Sequence, residues 1–356
     1  MKPITVLIVD DSLLIRKLYS DLLADAEGIK VIGTAIDAQD ARQKIKQLNP
    51  DVLTLDIEMP GMDGLSFLEK IMTLRPMPVI MASTLTQKGA GETIRALEIG
   101  AIDYISKPTD VHTQDAIGYL REELRSKIVT ASQANLKLRN VIKPQKANVI
   151  PFLPSGGRSH HIVAIGSSTG GVEALRDIFA MLPANSPPIV IAQHMPEQFT
   201  PSFAARLNTV SQVEVSEASH GARLSQGRAY LAPGNHHLKI IKKGGEYICH
   251  LEDSPQVSGH RPSVDVLFDS VAEAVGAQAV GVILTGMGKD GAAGMLKMRE
   301  CGAYNIGQNE DSCIVYGMPK VAFAAGAVHI QLPLLDIPAS ILTYCEQQKA
   351  GKYAKQ

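Results

Sequence analysis

Short apolar runs recur along the first third of the chain, at Ile4 to Val9, Val31 to Ala35, Val52 to Ile57, Val79 to Ser83 and Tyr104 to Ser106. Runs of this length without alternation predict strands buried on both faces. Between them apolar residues return every three or four positions: Leu14, Leu18 and Leu22, then Ala38, Ala41, Ile45 and Leu48, then Ile94 and Leu97. That spacing predicts helices with one apolar face each, turned onto a sheet. Strand followed by helix, again and again, predicts a parallel, doubly wound α/β sheet.

The pattern breaks after residue 125. Ser126 to His161 holds no acidic residue but carries Lys127, Lys137, Arg139, Lys143, Lys146 and Arg158. Its second half mixes Pro, Gly and Ser without periodicity. This predicts a final helix running out into a solvated positive linker, with contact to an acidic surface as the alternative. Buried-strand runs resume at Ile162 to Ile165, Ile189 to Ala192 and Val280 to Leu284. Arg228 to Ala232, with Leu238 to Ile241 and Tyr247 to Leu251 around Gly244 and Gly245, reads as an antiparallel hairpin appended to the second sheet. The expected layout is two doubly wound parallel-sheet α/β domains, at 1–125 and 161–348, with a linker at 126–160 and a tail at 349–356.

Composition adds exclusions. With 45% hydrophobic and 20% charged residues in 356, the chain is neither disordered nor fibrous. A net charge of -1 leaves no global field toward nucleic acid or an anionic membrane. Cys249, Cys301, Cys313 and Cys345 are widely spaced and form no CxxC, which suits a reducing, cytoplasmic setting. No signal peptide opens the sequence, and no run approaches the roughly 18 apolar residues of a membrane span.

In a doubly wound sheet, the carboxyl ends of the strands form the ligand crevice. Asp10 and Asp11 end the first strand, Asp56 the third, Ser83 the fourth, and Lys107 with Pro108 the fifth. Three carboxylates in one crevice repel each other unless a hard cation such as Mg²⁺ shares their oxygens. A lysine and a hydroxyl at the same rim offer a charge and a donor to a phosphoryl group carried by an aspartate. An α/β domain with incidentally acidic loops is the plainer alternative. The agreement of the strand ends in residue type and order resembles the response-regulator receiver domain, which implies a flavodoxin-like fold. The resemblance implies that Asp56 is the phosphoacceptor, attacking a phosphohistidine of a partner kinase. It also implies that Asp10, Asp11 and Asp56 hold Mg²⁺, that Ser83 senses the phosphoryl group and that Lys107 pairs with it. Tyr104 stands where that family has a switch aromatic and is equally explained as a core tyrosine.

The strand at Ile162 runs into Gly166-Ser167-Ser168-Thr169-Gly170-Gly171 and then a helix. Read as G-x-S-x-G, this puts Ser168 on a tight strand-to-helix turn as a candidate nucleophile. A phosphate cradle lacking the P-loop lysine, or a purely structural turn, stays open. His194 ends the apolar strand IVIAQ and is the candidate base, whereas His237 and His260 read as surface residues on a hairpin edge and a loop. Asp290, in the loop TGMGKDG after a third strand, is the candidate that orients the base. A strand-end histidine and a helix-capping aspartate are the alternatives for these two. The chain order Ser, His, Asp departs from the Ser, Asp, His order of α/β-hydrolases.

GSSTGG, QHMP, APGNHH, HRPSVD and LTGMGKDGAAGM, placed behind a receiver, resemble the chemotaxis-specific protein-glutamate methylesterase family (CheB), also protein-glutamine deamidases, over nearly the whole chain. The resemblance implies a triad of Ser168, His194 and Asp290. It further implies an oxyanion hole from the backbone amides of Met287 and His194, and no cofactor for hydrolysis. His237, Arg261 and Ser263 fall in family motifs without an assigned role. The implied activity is phosphorylation-activated removal of methyl groups from glutamate γ-methyl esters of chemoreceptors, with deamidation of specific glutamines. The partners implied are methyl-accepting chemoreceptors and the histidine kinase. No nucleic acid or membrane insertion is expected, and a monomer is. The rival from another class is a two-component regulator whose second domain only binds DNA or an adaptor, but no helix-turn-helix or basic recognition surface is evident.

Overall fold

A computed structural model describes residues 2–84, 86–108, 114–136 and 161–347. The chain forms two compact units, Met1–Val141 and Ile142–Gln356. Lys137, Arg139, Lys143, Lys146 and Arg158 of the expected linker, and the expected tail at 349–356, lie outside the described residues.

The first unit alternates β1 (Ile4–Val9), α1 (Leu13–Ala24), β2 (Ile29–Ala35), α2 (Ala38–Leu48), β3 (Val52–Asp56), α3 (Gly64–Leu74), β4 (Val79–Ser83), α4 (Gln87–Ile99), β5 (Asp103–Ser106) and α5 (Gln114–Ser132). Ser12, Asp37, Asp63 and Thr86 each accept a hydrogen bond from the amide three residues on, which starts α1 to α4 where short polar residues precede apolar periodicity. The strands pair in parallel in the order β2-β1-β3-β4-β5. Val6 to Val9, Leu53, Leu55, Val79, Ile80 and Met81 are buried, as continuous apolar runs require. The order reverses at β1, so the crevice falls at the ends of β1 and β3.

Helix α5 runs past residue 125, and Lys127 belongs to it rather than to a solvated spacer. Its ammonium ion-pairs with Glu123 at 2.9 Å and Asp103 at 3.5 Å, and lies 4.8 Å from the centre of the buried Tyr104 ring. Burial disfavours the charge on Lys127, yet the two carboxylates outweigh it and hold the lysine protonated.

The second unit contains β6 (Ile162–Ser167), α6 (Gly171–Met181), β7 (Ile189–Gln193), α7 (Thr200–Val210), β8 (Glu214–Glu217), β9 (Arg228–Leu231), β10 (His237–Lys243), β11 (Glu246–Glu252), α8 (Val264–Val275), β12 (Ala279–Ile283), α9 (Ala292–Glu300), β13 (Tyr304–Gln308), α10 (Met318–Ala324), β14 (Ile330–Leu332) and α11 (Ile337–Gln347). Its sheet is parallel throughout, in the order β14-β13-β12-β6-β7-β9-β8. The expected hairpin is present: β10 and β11 pair antiparallel across Gly244 and Gly245, whose φ of 60° and 84° fit a type I′ turn. Arg228 to Leu231 is no part of that hairpin. It lies inside the parallel sheet between β7 and β8, where Ala229, Tyr230 and Leu231 are buried.

The fully buried β6 and β12 lie side by side, and α8 covers them with Val264, Leu267, Phe268 and Val271. Each such side chain contributes roughly 1.5–3 kcal/mol of burial. Among the described residues, no helix is long and apolar enough to cross a membrane.

Candidate active site

Two sites stand at strand carboxyl ends, one in each unit. In the first, Asp10 follows β1, Asp56 closes β3 and Lys107 follows β5. The Lys107 ammonium lies 2.8 Å from Asp10 Oδ2 and 2.7 Å from Asp56 Oδ2. Burial pushes the Asp56 carboxyl up to about 6; Lys107 pulls it down and Asp10 adds to the rise. Asp10 is raised for the same first reason, against the pull of Lys107. One lysine thus does not fully compensate two buried carboxylates. Oxygens of Asp10, Asp11 and Asp56 lie within 4.8 Å of one another. An all-oxygen, excess-negative donor set with one exposed member, Asp11, fits a hard divalent ion that keeps several waters. Ser83 is buried, and its hydroxyl accepts from Thr93 Oγ1 at 2.7 Å, so it is engaged with α4.

The second site is built on three neighbouring strand ends. Ser168 follows β6, His194 follows β7, and Asp290 lies in the loop between β12 and α9. Gly170, at φ 78°, turns the chain from β6 into α6, a conformation that disfavours a side chain. Gly286 lets the loop after β12 close in: a Cβ there would stand 2.8 Å from Ser168 Cβ. His194 Nδ1 is 3.1 Å from Ser168 Oγ, and His194 Nε2 is 2.8 Å from Asp290 Oδ2. With Nε2 carrying the proton that Asp290 accepts, Nδ1 faces the serine as a base.

Asp290 is only 2% exposed and accepts four hydrogen bonds. Oδ1 takes Ser263 Oγ at 2.8 Å and the Asp265 amide at 3.0 Å, while Oδ2 takes the Val264 amide at 2.7 Å and His194. The donors other than His194 come from the start of α8, where the helix dipole also favours an anion. Burial alone would raise the Asp290 carboxyl, but His194 and these amides outweigh it and hold it well below the usual carboxylate range. Asp265 bears the consequence: burial first, and then the Asp290 charge, push its carboxyl up to about 6, against the Gly294 amide that bonds it.

The expected oxyanion pair is altered. The backbone N–H of His194 donates to the Ser167 carbonyl at 3.2 Å, because β6 and β7 continue their pairing one step beyond the strands. That amide is therefore already engaged. Met287 follows Gly286 in the loop beside Ser168, whose own amide donates to Thr285 O at 3.1 Å.

Three residues left without roles, or read as surface, belong to the scaffold of this site. His237 is fully buried rather than on the surface; its Nδ1 accepts from the Ser263 amide at 3.2 Å and its Nε2 donates to Pro255 O at 3.1 Å. Ser263 caps α8 and donates to Asp290. Arg261 ties the loop to Asn235 Oδ1 and to the carbonyls of Asp253 and Ser254. Gln193 escaped notice in the sequence: its Oε1 accepts from Ser167 Oγ at 2.6 Å and its Nε2 donates to the carbonyls of Ser168 and His194. A polar residue closing the apolar strand IVIAQ was the available signal. Replacing Ser263 by alanine removes a helix cap and a donor to a buried anion, so a loss of about 2 kcal/mol in urea unfolding is expected.

A lysine-bridged acid pocket on one parallel sheet, and a linked hydroxyl, imidazole and carboxylate on another, define a receiver-bearing hydrolase. Residues 163–341 match the CheB methylesterase family and residues 6–116 match the response regulator receiver domain. A Geobacter metallireducens relative named protein-glutamate methylesterase/protein-glutamine glutaminase 1 is 50% identical over 354 residues, covering 98% of this chain and 97% of its own. A Caulobacter vibrioides relative of the same name is 54% identical, covering 96% and 98%. The crystal structure of the Thermotoga maritima CheB methylesterase catalytic domain superposes with a TM-score of 0.51 at 40% identity, covering 52% of this chain and 98% of that one. The chain belongs to the CheB methylesterase family, with a response regulator receiver domain at its start.

Proposed function

We propose that the protein hydrolyses glutamate γ-methyl esters on the helical cytoplasmic segments of chemoreceptors, and deamidates glutamines at such positions. Relatives at about half identity over nearly the whole chain carry both activities in their name. The observation that carries the reading is the unbroken line from Ser168 Oγ through His194 to an Asp290 held ionised by four donors.

Ser168 Oγ attacks the ester carbonyl and passes its proton to His194 Nδ1. The oxyanion is met by the Met287 amide, a kind of donor worth roughly 10² to 10³ in turnover. The C–O bond to methoxide breaks as His194 returns the proton, so methanol leaves and an acyl-serine remains. Water, deprotonated by His194, then releases glutamate and restores Ser168. With a glutamine the leaving group is ammonia.

Asp56 accepts the phosphoryl group from the kinase phosphohistidine. Asp10, Asp11 and Asp56 would hold Mg²⁺, which when bound would neutralise charge on the transferring group. Lys107 then pairs with the phosphoryl oxygens, and Ser83 exchanges its bond with Thr93 for one to them. Each tenfold activation needs about 1.4 kcal/mol of preference of the phosphorylated state for the active arrangement.

The test is methanol release from methylated chemoreceptor segments, with and without a small phosphodonor and Mg²⁺. A silent protein under both conditions would reject the reading. Asp56→Asn should take up no phosphoryl group on a phosphate-affinity gel, and the phosphodonor should change its methanol release by less than about twofold. Normal activation of that variant would reject Asp56 as acceptor.

A further inference from the structure

His260 lies outside the line of Ser168, His194 and Asp290, yet its ring lies flat on that of His194, with centroids 3.6 Å apart and planes 12° apart. A tight turn brings it there. Val257 and His260 exchange backbone hydrogen bonds at 3.1 and 2.9 Å across Ser258 and Gly259, whose φ of 53° and 79° fit a type I′ turn. A few residues later the same segment gives Ser263 Oγ and the Val264 and Asp265 amides to Asp290. One short stretch, His260 to Asp265, therefore touches both the imidazole and the carboxylate that orients it.

Two hydrogen bonds in the plane of a ring, at Nδ1 and Nε2, leave it able to rock about the line joining the nitrogens. Rocking swings the Nδ1 lone pair off Ser168 Oγ, and hydrogen bonds weaken steeply with angle. A flat partner at van der Waals distance blocks that motion.

We propose that His260 is a positioning residue that fixes the plane of the His194 imidazole. The proposal rests on the hydrolytic reading above and concerns the same site. It makes the HRPSVD segment a single clamp, holding the base by its face and the acid by its oxygens.

The test compares His260→Ala and His260→Phe in the full chain, by methanol release from methylated receptor segments and by the downfield imidazole N–H proton resonance of the His194–Asp290 pair. In the alanine variant kcat should fall about 30-fold with KM within about twofold, and the resonance should broaden away. Phenylalanine keeps a flat face, so kcat within about threefold of wild type and a sharp resonance are expected. An unchanged kcat in His260→Ala, or equal impairment in His260→Phe, would overturn the proposal. Should the alanine variant not fold, the phenylalanine variant decides alone: retained kcat supports the stack, and lost kcat refutes it. Ser168→Ala runs alongside. Methanol release surviving that change would sink the hydrolytic reading itself, whereas release that depends on Ser168 but ignores His260→Ala sinks only the positioning role.

Discussion

Ser168→Ala is expected to lower methanol release from glutamate γ-methyl esters by about 10⁴-fold or more, while unfolding in urea shifts by less than about 1 kcal/mol. Without Oγ there is no acyl-enzyme, and the remaining groups can only assist direct attack by water. Ser168 is half-buried, and its hydroxyl bonds His194 at 3.1 Å, so its removal strands no fully buried partner. Its neighbour gives the contrast. Ser167 is completely buried and donates to Gln193 Oε1 at 2.6 Å, so a change there should act on the packing of the β6 to α6 turn. Measurement of methanol release, with circular dichroism to confirm folding, checks the expectation. Turnover of Ser168→Ala within about tenfold of wild type would remove Ser168 from the nucleophile's role.

Much of this arrangement is legible in the sequence because each decisive residue closes a strand that announces itself. The runs ending at Val9, Asp56 and Ser83, and those before Ser168 and His194, are mostly apolar and, apart from the first two residues of β1, buried. Asp290 was within reach for a similar reason, since the run Val280 to Leu284 precedes it. Elements with mixed character were harder. β13 carries Asn305 in its interior, where the amide donates to the carbonyls of Met295 and Ala327, and β14 is only 3 residues long, so neither shows a run. Lys127 was misread because charge was counted along the chain. Asp103 and Glu123, its partners, lie outside the acid-free stretch and meet the lysine only through the fold. The layer behind the triad was illegible for a related reason. Nothing local in HRPSVD says that Ser263 reaches Asp290 or that the His260 ring covers His194; both depend on where α8 meets the sheet. The His194 amide shows the reverse failure: a motif suggests a free donor, and the continuing ladder engages it.

Asp290→Asn should cost about 10⁴-fold in kcat, and here the loss has two separable parts. The first is tautomeric. A carboxylate holds the proton on His194 Nε2 and leaves Nδ1 to face Ser168; an amide nitrogen turned to the ring holds the wrong tautomer, which blocks proton removal from the serine. The second is structural and follows from the count of donors. Each Asp290 oxygen accepts two hydrogen bonds: Oδ1 from Ser263 and the Asp265 amide, Oδ2 from His194 and the Val264 amide. Whichever way the asparagine turns, its NH₂ faces a backbone N–H at the start of α8, leaving buried donors against each other at a cost of about 2–4 kcal/mol. The pH dependence carries the signature. Because Asp290 is held below the usual carboxylate range, its contribution to stability is fully present above about pH 4 and is lost as pH falls toward its lowered value. In Asp290→Asn that contribution is absent, so wild type should lose more stability than the variant between about pH 4 and the acid extreme. Urea unfolding across this range, beside kcat at neutral pH, checks both parts. A variant that kept wild-type turnover, or that lost acid stability as steeply as wild type, would show that Asp290 does not hold the imidazole as a buried anion.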